Sequence, residues 1–244
     1  MMIYNKVHAK SKKKWIFEGD FKGCFDNLNH DYILEQLERF PAKEIIARWL
    51  KAGFVDGKVF NKTTLGTPQG GIVSPLLANI ALHGMEEELE INYRSKREKK
   101  TGRVYHEVFD TKTVVRYADD FVIICEKSEE AESMYEKMKS YLTKRGLELS
   151  PDKTKVVHIS EGFNFLGFQF RQYPINKEKG RLWKLIFKPS KQSQTKMKEC
   201  FKTYQGNNVL LLIKALNPII RGYANYWNRV SSKRIFSKMT IISG

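Results

Sequence analysis

Apolar runs and polar breaks divide the chain into short strands and amphipathic helices. Trp15-Ile16-Phe17 reads as a strand that ends on Glu18-Gly19-Asp20. Asn29 or Asp31 then caps a helix whose apolar stripe is Ile33, Leu34 and Leu37, and a second short helix is expected over 42–51. Residues 58–65 have hairpin character, and Pro68 with Gly70-Gly71 marks a shaped loop. Ser74 as cap and Pro75 at the first helical position open a helix expected to run through Leu89. The Lys-rich stretch 94–103 reads as a solvated connection. Two apolar runs, Thr113–Arg116 and Phe121–Cys125, flank Tyr117-Ala118-Asp119-Asp120 and predict a β-hairpin with two carboxylates at its tip. Ser128 caps the next helix, spaced by Ala131, Tyr135, Met138 and Leu142 and ended by Gly146. Strands follow at 155–159, 165–169 and 181–187, and beyond Pro189 the period becomes helical over 190–204, 209–216 and 219–229. The order β-α-β-β-α-β is that of a split βαβ sheet, so the fold class is α+β.

Charge adds a second division. The formal net charge is +16, but from Arg171 to Gly244 there are 16 Lys and Arg against 2 Glu, while the first 170 residues hold 27 basic and 25 acidic residues. A solvated helix normally mixes its signs. A one-sided segment with interleaved aromatics (Trp183, Phe201, Tyr204, Tyr223, Trp227) suits a polyanion, with lysines neutralising phosphates and most of the aromatics packing inside. Charge and period both change at Lys188-Pro189, the natural boundary. A chain of 244 residues can bury one core, or a core and a smaller lobe. No apolar run reaches the ~18–20 residues of a membrane span, and no signal peptide is evident, so a cytoplasmic protein without a membrane partner is expected. Cys24, Cys125 and Cys200 are odd in number and far apart, which argues against a disulfide framework. His30, His83, His106 and His158 lack metal-ligand spacing and read as structural or surface residues.

The acids carry the chemistry. Adjacent carboxylates between apolar strands repel each other and lose hydration, and a bound divalent cation reverses both penalties. A polar hairpin turn would use the same dipeptide. A strand delivering Asp20 beside that tip would complete a set of three hard oxygen donors, suited to magnesium or manganese and to two-metal nucleotidyl transfer.

Six segments in order resemble the motifs of reverse transcriptases, above all the bacterial and organellar group II intron reverse transcriptase/maturase proteins. They are the strand ending on Asp20 with Phe25-Asp26; Gly66-Thr67-Pro68-Gln69-Gly70-Gly71-Ile72-Val73-Ser74-Pro75; Tyr117-Ala118-Asp119-Asp120; Leu149–Lys155; Phe163–Phe168; and Leu216–Trp227. The resemblance spans Trp15 to Lys238. It implies a polymerase palm over 1–188, a ferredoxin-like antiparallel sheet with helices on one face, followed over 189–244 by a truncated helical thumb or maturase-type RNA-binding region.

The resemblance also implies site residues. Asp20, Asp119 and Asp120 would hold two Mg2+ (or Mn2+) ions. Phe25 would pack under the sugar and exclude a 2′-hydroxyl, Gln69 and Gly70 would line the nucleotide pocket, and Lys153 would approach the triphosphate. Phe165, Leu166 and Gly167 would form the primer grip, and Lys191, Lys196, Lys198, Lys202 and Arg221 would meet RNA. The implied partners are intron RNA, an RNA template, a DNA primer and deoxynucleoside triphosphates. The family's fingers region precedes the Asp20 strand, where this chain has nineteen residues, so a partner chain supplying fingers in trans belongs to the expectation. The alternatives are an RNA-binding maturase fragment without catalysis and one half of a split enzyme. An RNA-dependent RNA polymerase is disfavoured by Phe25 and the Pro68-Gln69-Gly70-Gly71 loop.

Overall fold

The computed structural model describes residues 7, 11–56, 59–61, 63–67, 71–97, 102, 104–176, 182–204 and 209–240. The chain forms two compact units, 1–6 with 12–157 and 7–11 with 158–244. Compactness thus divides the chain well before the change of composition at Lys188-Pro189. The reason is that the second unit's strands bond to its helices.

In the first unit, β1 (Trp15–Gly19), β6 (Thr113–Tyr117), β7 (Asp120–Cys125) and β8 (Lys155–His158) form one sheet in the order β6-β7-β1-β8. That is the split βαβ order expected from the sequence. β7 is buried from Phe121 to Cys125, as a central strand apolar on both faces should be. Phe17, Phe121, Ile123 and Cys125 share one core with helices α2 (His30–Gln36), α3 (Lys43–Lys51), α4 (Ser74–Ala81) and α6 (Ser128–Thr143). Ile33, Leu50, Leu77, Met134 and Tyr141 are their contributions. The Asn29 side chain caps α2, accepting from the amides of Asp31 and Tyr32.

Three expectations are corrected. The helix expected through Leu89 stops at Ala81 and resumes as α5 (Met85–Glu88), with Gly84 at φ 86 between them. Its orphaned carbonyls explain the stop. Arg145 Nε donates to Ala81 O (2.7 Å), Tyr141 Oη to Leu82 O (2.7 Å) and Arg145 Nη2 to His83 O (2.9 Å). A buried cation at a helix C-terminus has partners in those carbonyls. The connection 94–103 is not a plain loop: β4 (Tyr93–Arg97) and β5 (Val104–Val108) pair antiparallel around it, with every β4 residue exposed. Finally, the helices expected on either side of Pro218 are one, α8 (Val209–Trp227), with Pro218 inside it. Pro218 is exposed, so the carbonyl it leaves without a donor can bond water.

In the second unit, β9 (Phe163–Phe165), β10 (Phe168–Asn176) and β11 (Leu182–Pro189) form an antiparallel sheet with Phe163, Phe170 and Phe187 stacked across it. Helices α7 (Lys191–Thr203), α8 and α9 (Lys233–Thr240) enclose a small core of Met197 and Trp227 with Phe168, Phe201, Tyr223 and Phe236. Two short strands, β2 (Phe54–Asp56) and β3 (Val59–Asn61), and a one-turn helix, α1 (Cys24–Asn27), complete the described elements. Among the described residues no helix is long and apolar enough to cross a membrane.

Candidate functional site

Register brings the acids together. Tyr117 pairs with Asp120 across the β6–β7 hairpin, and Gly19 on β1 pairs with Phe121 on β7. One residue beyond Gly19, Asp20 leaves β1 on the Asp120 side of that pair. A Cβ on Gly19 would lie 2.1 Å from Cζ of Phe121, so glycine is required for that ring to lie across the strand. Phe121 in turn stacks on Phe21, with ring centroids 4.8 Å apart. A packed aromatic pair therefore supports the edge from which the carboxylates project.

The acids are less enclosed than the apolar flanks suggest. Asp119 and Asp120 are exposed and the Asp20 side chain is about one-third exposed (36%), so they stand on a rim rather than inside an apolar cage. The Asp120 carboxyl is still pushed above its ordinary range, first by lost hydration and then by the charges of Asp119 and Asp20. That shift is the electrostatic sign that the three acids share one neighbourhood. Among the described residues no three His, Cys, Asp or Glu groups stand close enough together to hold a metal ion as placed. As donors the three carboxylates suit a hard divalent cation, whose charge would relieve the strain on Asp120.

The turn between the strands is tight. Ala118 adopts φ 54, and Arg116 Nη1 donates to its carbonyl at 2.9 Å. The segment after Asp20 is tied to the 148–154 loop: Lys22 N donates to Glu148 O (2.9 Å) and Ser150 N to Asp20 O (2.8 Å). Phe21 bridges to Leu149. These bonds bring Lys153 to Asp20, Nζ to Oδ1 3.5 Å. Sequence spacing alone could not have joined two residues so far apart.

A cleft of about 680 Å³ opens beside the rim, lined among others by Asp20, Asp119, Phe25, Lys153, Gly71 and Pro75. Phe25 is half-buried on α1. Its carbonyl accepts from Thr67 N (2.6 Å), and the Leu28 carbonyl accepts from Gly66 N (2.8 Å). Gly66, at φ 74, lies so close that a Cβ would meet Asp26 O at 2.4 Å, and the buried His30 ring bonds its carbonyl at 2.6 Å. His30 is thus structural, as expected. Cys24 also lines the cleft. Burial first, and Asp119 second, push its thiol up to about 12, so it remains protonated.

Asp20, Asp119, Phe25 and Lys153 therefore line one cleft, and Asp120 follows Asp119 at the start of β7. Gln69 and Gly70 lie outside the described residues. Phe165, Leu166 and Gly167 belong to the second unit, where Leu166 (φ 48) and Gly167 (φ 74) form the two-residue turn between β9 and β10. That turn is bonded to the helices: Tyr226 Oη to Leu166 O (2.8 Å), and Ser190 N and Ser193 Oγ to Gly167 O (both 2.9 Å). Lys191, Lys196, Lys198 and Lys202 on α7 and Arg221 on α8 are all exposed. Sequence reasoning missed Gly19 and Arg116. A glycine one residue before a strand-end acid was the available signal for the first; the second, one polar residue in an apolar strand, gave none.

Comparison with known proteins identifies the family. A family model described as reverse transcriptase (RNA-dependent DNA polymerase) matches residues 2–170, and one for the maturase-specific domain of group II introns matches residues 190–243. The group II intron-encoded protein LtrA of Lactococcus lactis subsp. cremoris is 30% identical over 209 residues, covering 65% of this chain and 35% of that protein. Protein YkfC of Escherichia coli is 33% identical over 180 residues, covering 65% of this chain and 47% of that protein. The chain thus spans between about a third and a half of these two relatives. Among solved structures, apo telomerase from Candida tropicalis superimposes with a TM-score of 0.50 at 16% identity, over 65% of this chain and 31% of that one, a likeness of fold alone.

Proposed function

The chain belongs to the reverse transcriptase family and carries a group II intron maturase-specific domain, and from that premise we propose that it is the RNA-directed DNA polymerase core of an intron-encoded protein. In this reading residues 1–188 act as the palm and 189–244 as a thumb that also binds intron RNA. The observation that carries it is the placing of Asp20 and Asp119 in a cleft that Phe25 and Lys153 also line, with Asp120, whose carboxyl both acids push upward, next to Asp119.

Two divalent cations held by Asp20, Asp119 and Asp120 would supply the charge that activates a primer 3′-hydroxyl and holds the triphosphate of the incoming deoxynucleotide. The chain's own residues do the rest. Phe25 lines the cleft, where it underlies the sugar and leaves no room for a 2′-hydroxyl. Lys153, ion-paired with Asp20 in the free protein, turns its charge to the triphosphate. Gln69 and Gly70 border the nucleotide, and the Phe165-Leu166-Gly167 turn bears on the primer end. Lys191, Lys196, Lys198, Lys202 and Arg221 neutralise phosphates of template and intron RNA.

Primer extension on an RNA template, with and without an added fingers fragment from a relative, tests this. Magnesium-dependent, template-directed DNA synthesis in either arm is the expected result. Tight RNA binding with no synthesis in both arms would replace it with a second reading, a non-catalytic RNA-binding maturase, which the match over 190–243 favours.

A further inference from the structure

The turn that carries Asp119 is built from an unsuitable residue. Two-residue hairpin turns that place their first central residue at positive φ normally use glycine or asparagine. Here that residue is Ala118, at φ 54, where a Cβ crowds the backbone. Something outside the turn must hold it. Arg116 Nη1 donates to Ala118 O at 2.9 Å and to Asn79 Oδ1 at 2.8 Å. The Asn79 amide in turn donates to Pro75 O at 3.0 Å, within the first turn of α4. Pro75, with Gly71 and Ser74, lines the same cleft as Asp119.

We propose that Arg116 and Asn79 form a positioning clamp that holds Ala118 in its left-handed conformation and so fixes Asp119 relative to the α4 wall of the cleft. The inference rests on the reading of Asp119 as a metal ligand. Arg116 touches neither substrate nor metal in it; it acts through the backbone of the turn. A planar guanidinium can face a carbonyl and an amide oxygen at once, and a lysine ammonium at the end of a flexible stem does so poorly. The clamp also gives α4 a hold on the acid rim: a shift of its first turn is passed to Ala118 through Asn79 and Arg116.

The test compares Arg116→Met, Arg116→Lys, Asn79→Ala and the double variant Arg116→Met/Ala118→Asn with the unaltered chain. Asparagine tolerates the left-handed region, so it should set the turn without the clamp. Three readouts are taken: Mn2+ affinity by calorimetry, amide hydrogen exchange over residues 117–120, and the Mg2+ concentration for half-maximal extension. Arg116→Met should weaken Mn2+ binding about tenfold and speed exchange in the turn, with the thermal midpoint almost unchanged. Asn79→Ala should do the same to a lesser degree. The double variant should recover most of both losses, and Arg116→Lys should recover little.

Unchanged Mn2+ affinity and exchange in a folded Arg116→Met protein would overturn the clamp. So would recovery by Arg116→Lys without recovery by Ala118→Asn, which would make Arg116 a charge rather than a brace. If the unaltered chain binds no Mn2+, the metal-ligand reading fails instead, and exchange over 117–120 still judges whether Arg116 holds the turn.

Discussion

The acid rim of the first unit and the basic helices of the second carry charge in opposite ways. Asp20 and Asp120 sit at strand ends and Asp119 in a two-residue turn. Their places are set by register, by Gly19 making room for Phe121, and by Arg116 on Ala118. The lysines of α7 and Arg221 of α8 sit on exposed helical faces. At the rim, position matters and each acid has one place. If the helices meet RNA as proposed, number matters there, because a phosphate backbone accepts cations at many points. Removing a charge should therefore be all-or-nothing at the rim and graded on the helices.

Asp119→Asn should show the largest effect. It keeps the size of the side chain and removes the charge. Extension should fall on the order of 10³-fold or more, the scale expected when charge stabilisation at the reacting centre is lost. RNA affinity should stay within about threefold. Extension at the unaltered rate would remove Asp119 from the site; a large loss of RNA affinity would mean that rim and helices share one surface, and the contrast would collapse.

The graded side is tested with Lys191, Lys196, Lys198 and Lys202 changed together to Gln. If all four neutralise phosphates, the slope of log affinity against log salt should flatten by roughly 2.8 to 3.6, since each contact contributes about −0.7 to −0.9. Single variants should each take a similar share. Equal slopes for the quadruple variant and the unaltered chain would make these lysines a solvated face. A collapse on a single substitution would show that position matters there too.

This difference also decided what could be read beforehand. The sheet order was legible because strands declare themselves by apolar runs and turns, and the split βαβ order follows from their succession. Asn29 was legible as one of two candidate caps, and its side chain accepts amide bonds in the first turn. Ser74 and Ser128, expected as caps, are instead the first residues of their helices, with Val73 and Lys127 at the cap positions. What escaped was set by partners distant in sequence. The stop at Ala81 depends on Arg145 and Tyr141, which lie two elements of the sheet later. Strand β4 is exposed along its whole length, so it has no alternation to read. Continuity of α8 through Pro218 depends on the proline being exposed. At the cleft, the residue types of the rim were legible, while the contact of Lys153 with Asp20 came from backbone bonds between 20–22 and 148–154.

Arg145 offers a cation in a third condition, buried and position-bound. It is 4% exposed, donates to the carbonyls of Ala81, Tyr141 and His83, and lies over the rings of Tyr32 and Tyr141 at 4.6 and 3.5 Å. Arg145→Met should destabilise the protein by about 3 kcal/mol, because buried carbonyls without donors cost roughly 1–3 kcal/mol each and some will find water. Denaturant unfolding measures this. The salt dependence of RNA binding should not move; if it does, Arg145 belongs with the helices rather than with the framework.

The smallest effect sharpens the rim. Burial and two neighbouring acids raise the Asp120 pKa, so the folded chain binds that proton more tightly than the unfolded chain. Protonation therefore stabilises the fold at low pH, and this contribution is lost as pH rises through the folded pKa. Asp120→Asn makes the neutral state permanent. In chelator at neutral pH the variant should melt higher than the unaltered chain, by a few degrees at most. The gap should close as pH falls below about 4, where the native carboxyl is protonated in both states. Magnesium at neutral pH should reverse the order, because a cation at the rim stabilises the carboxylate and has less to hold on the amide. A lower melting point for the variant in chelator would mean that the ionised Asp120 makes favourable contacts in the free protein. The rim would then be held together by its acids, as the basic helices are not, rather than in spite of them.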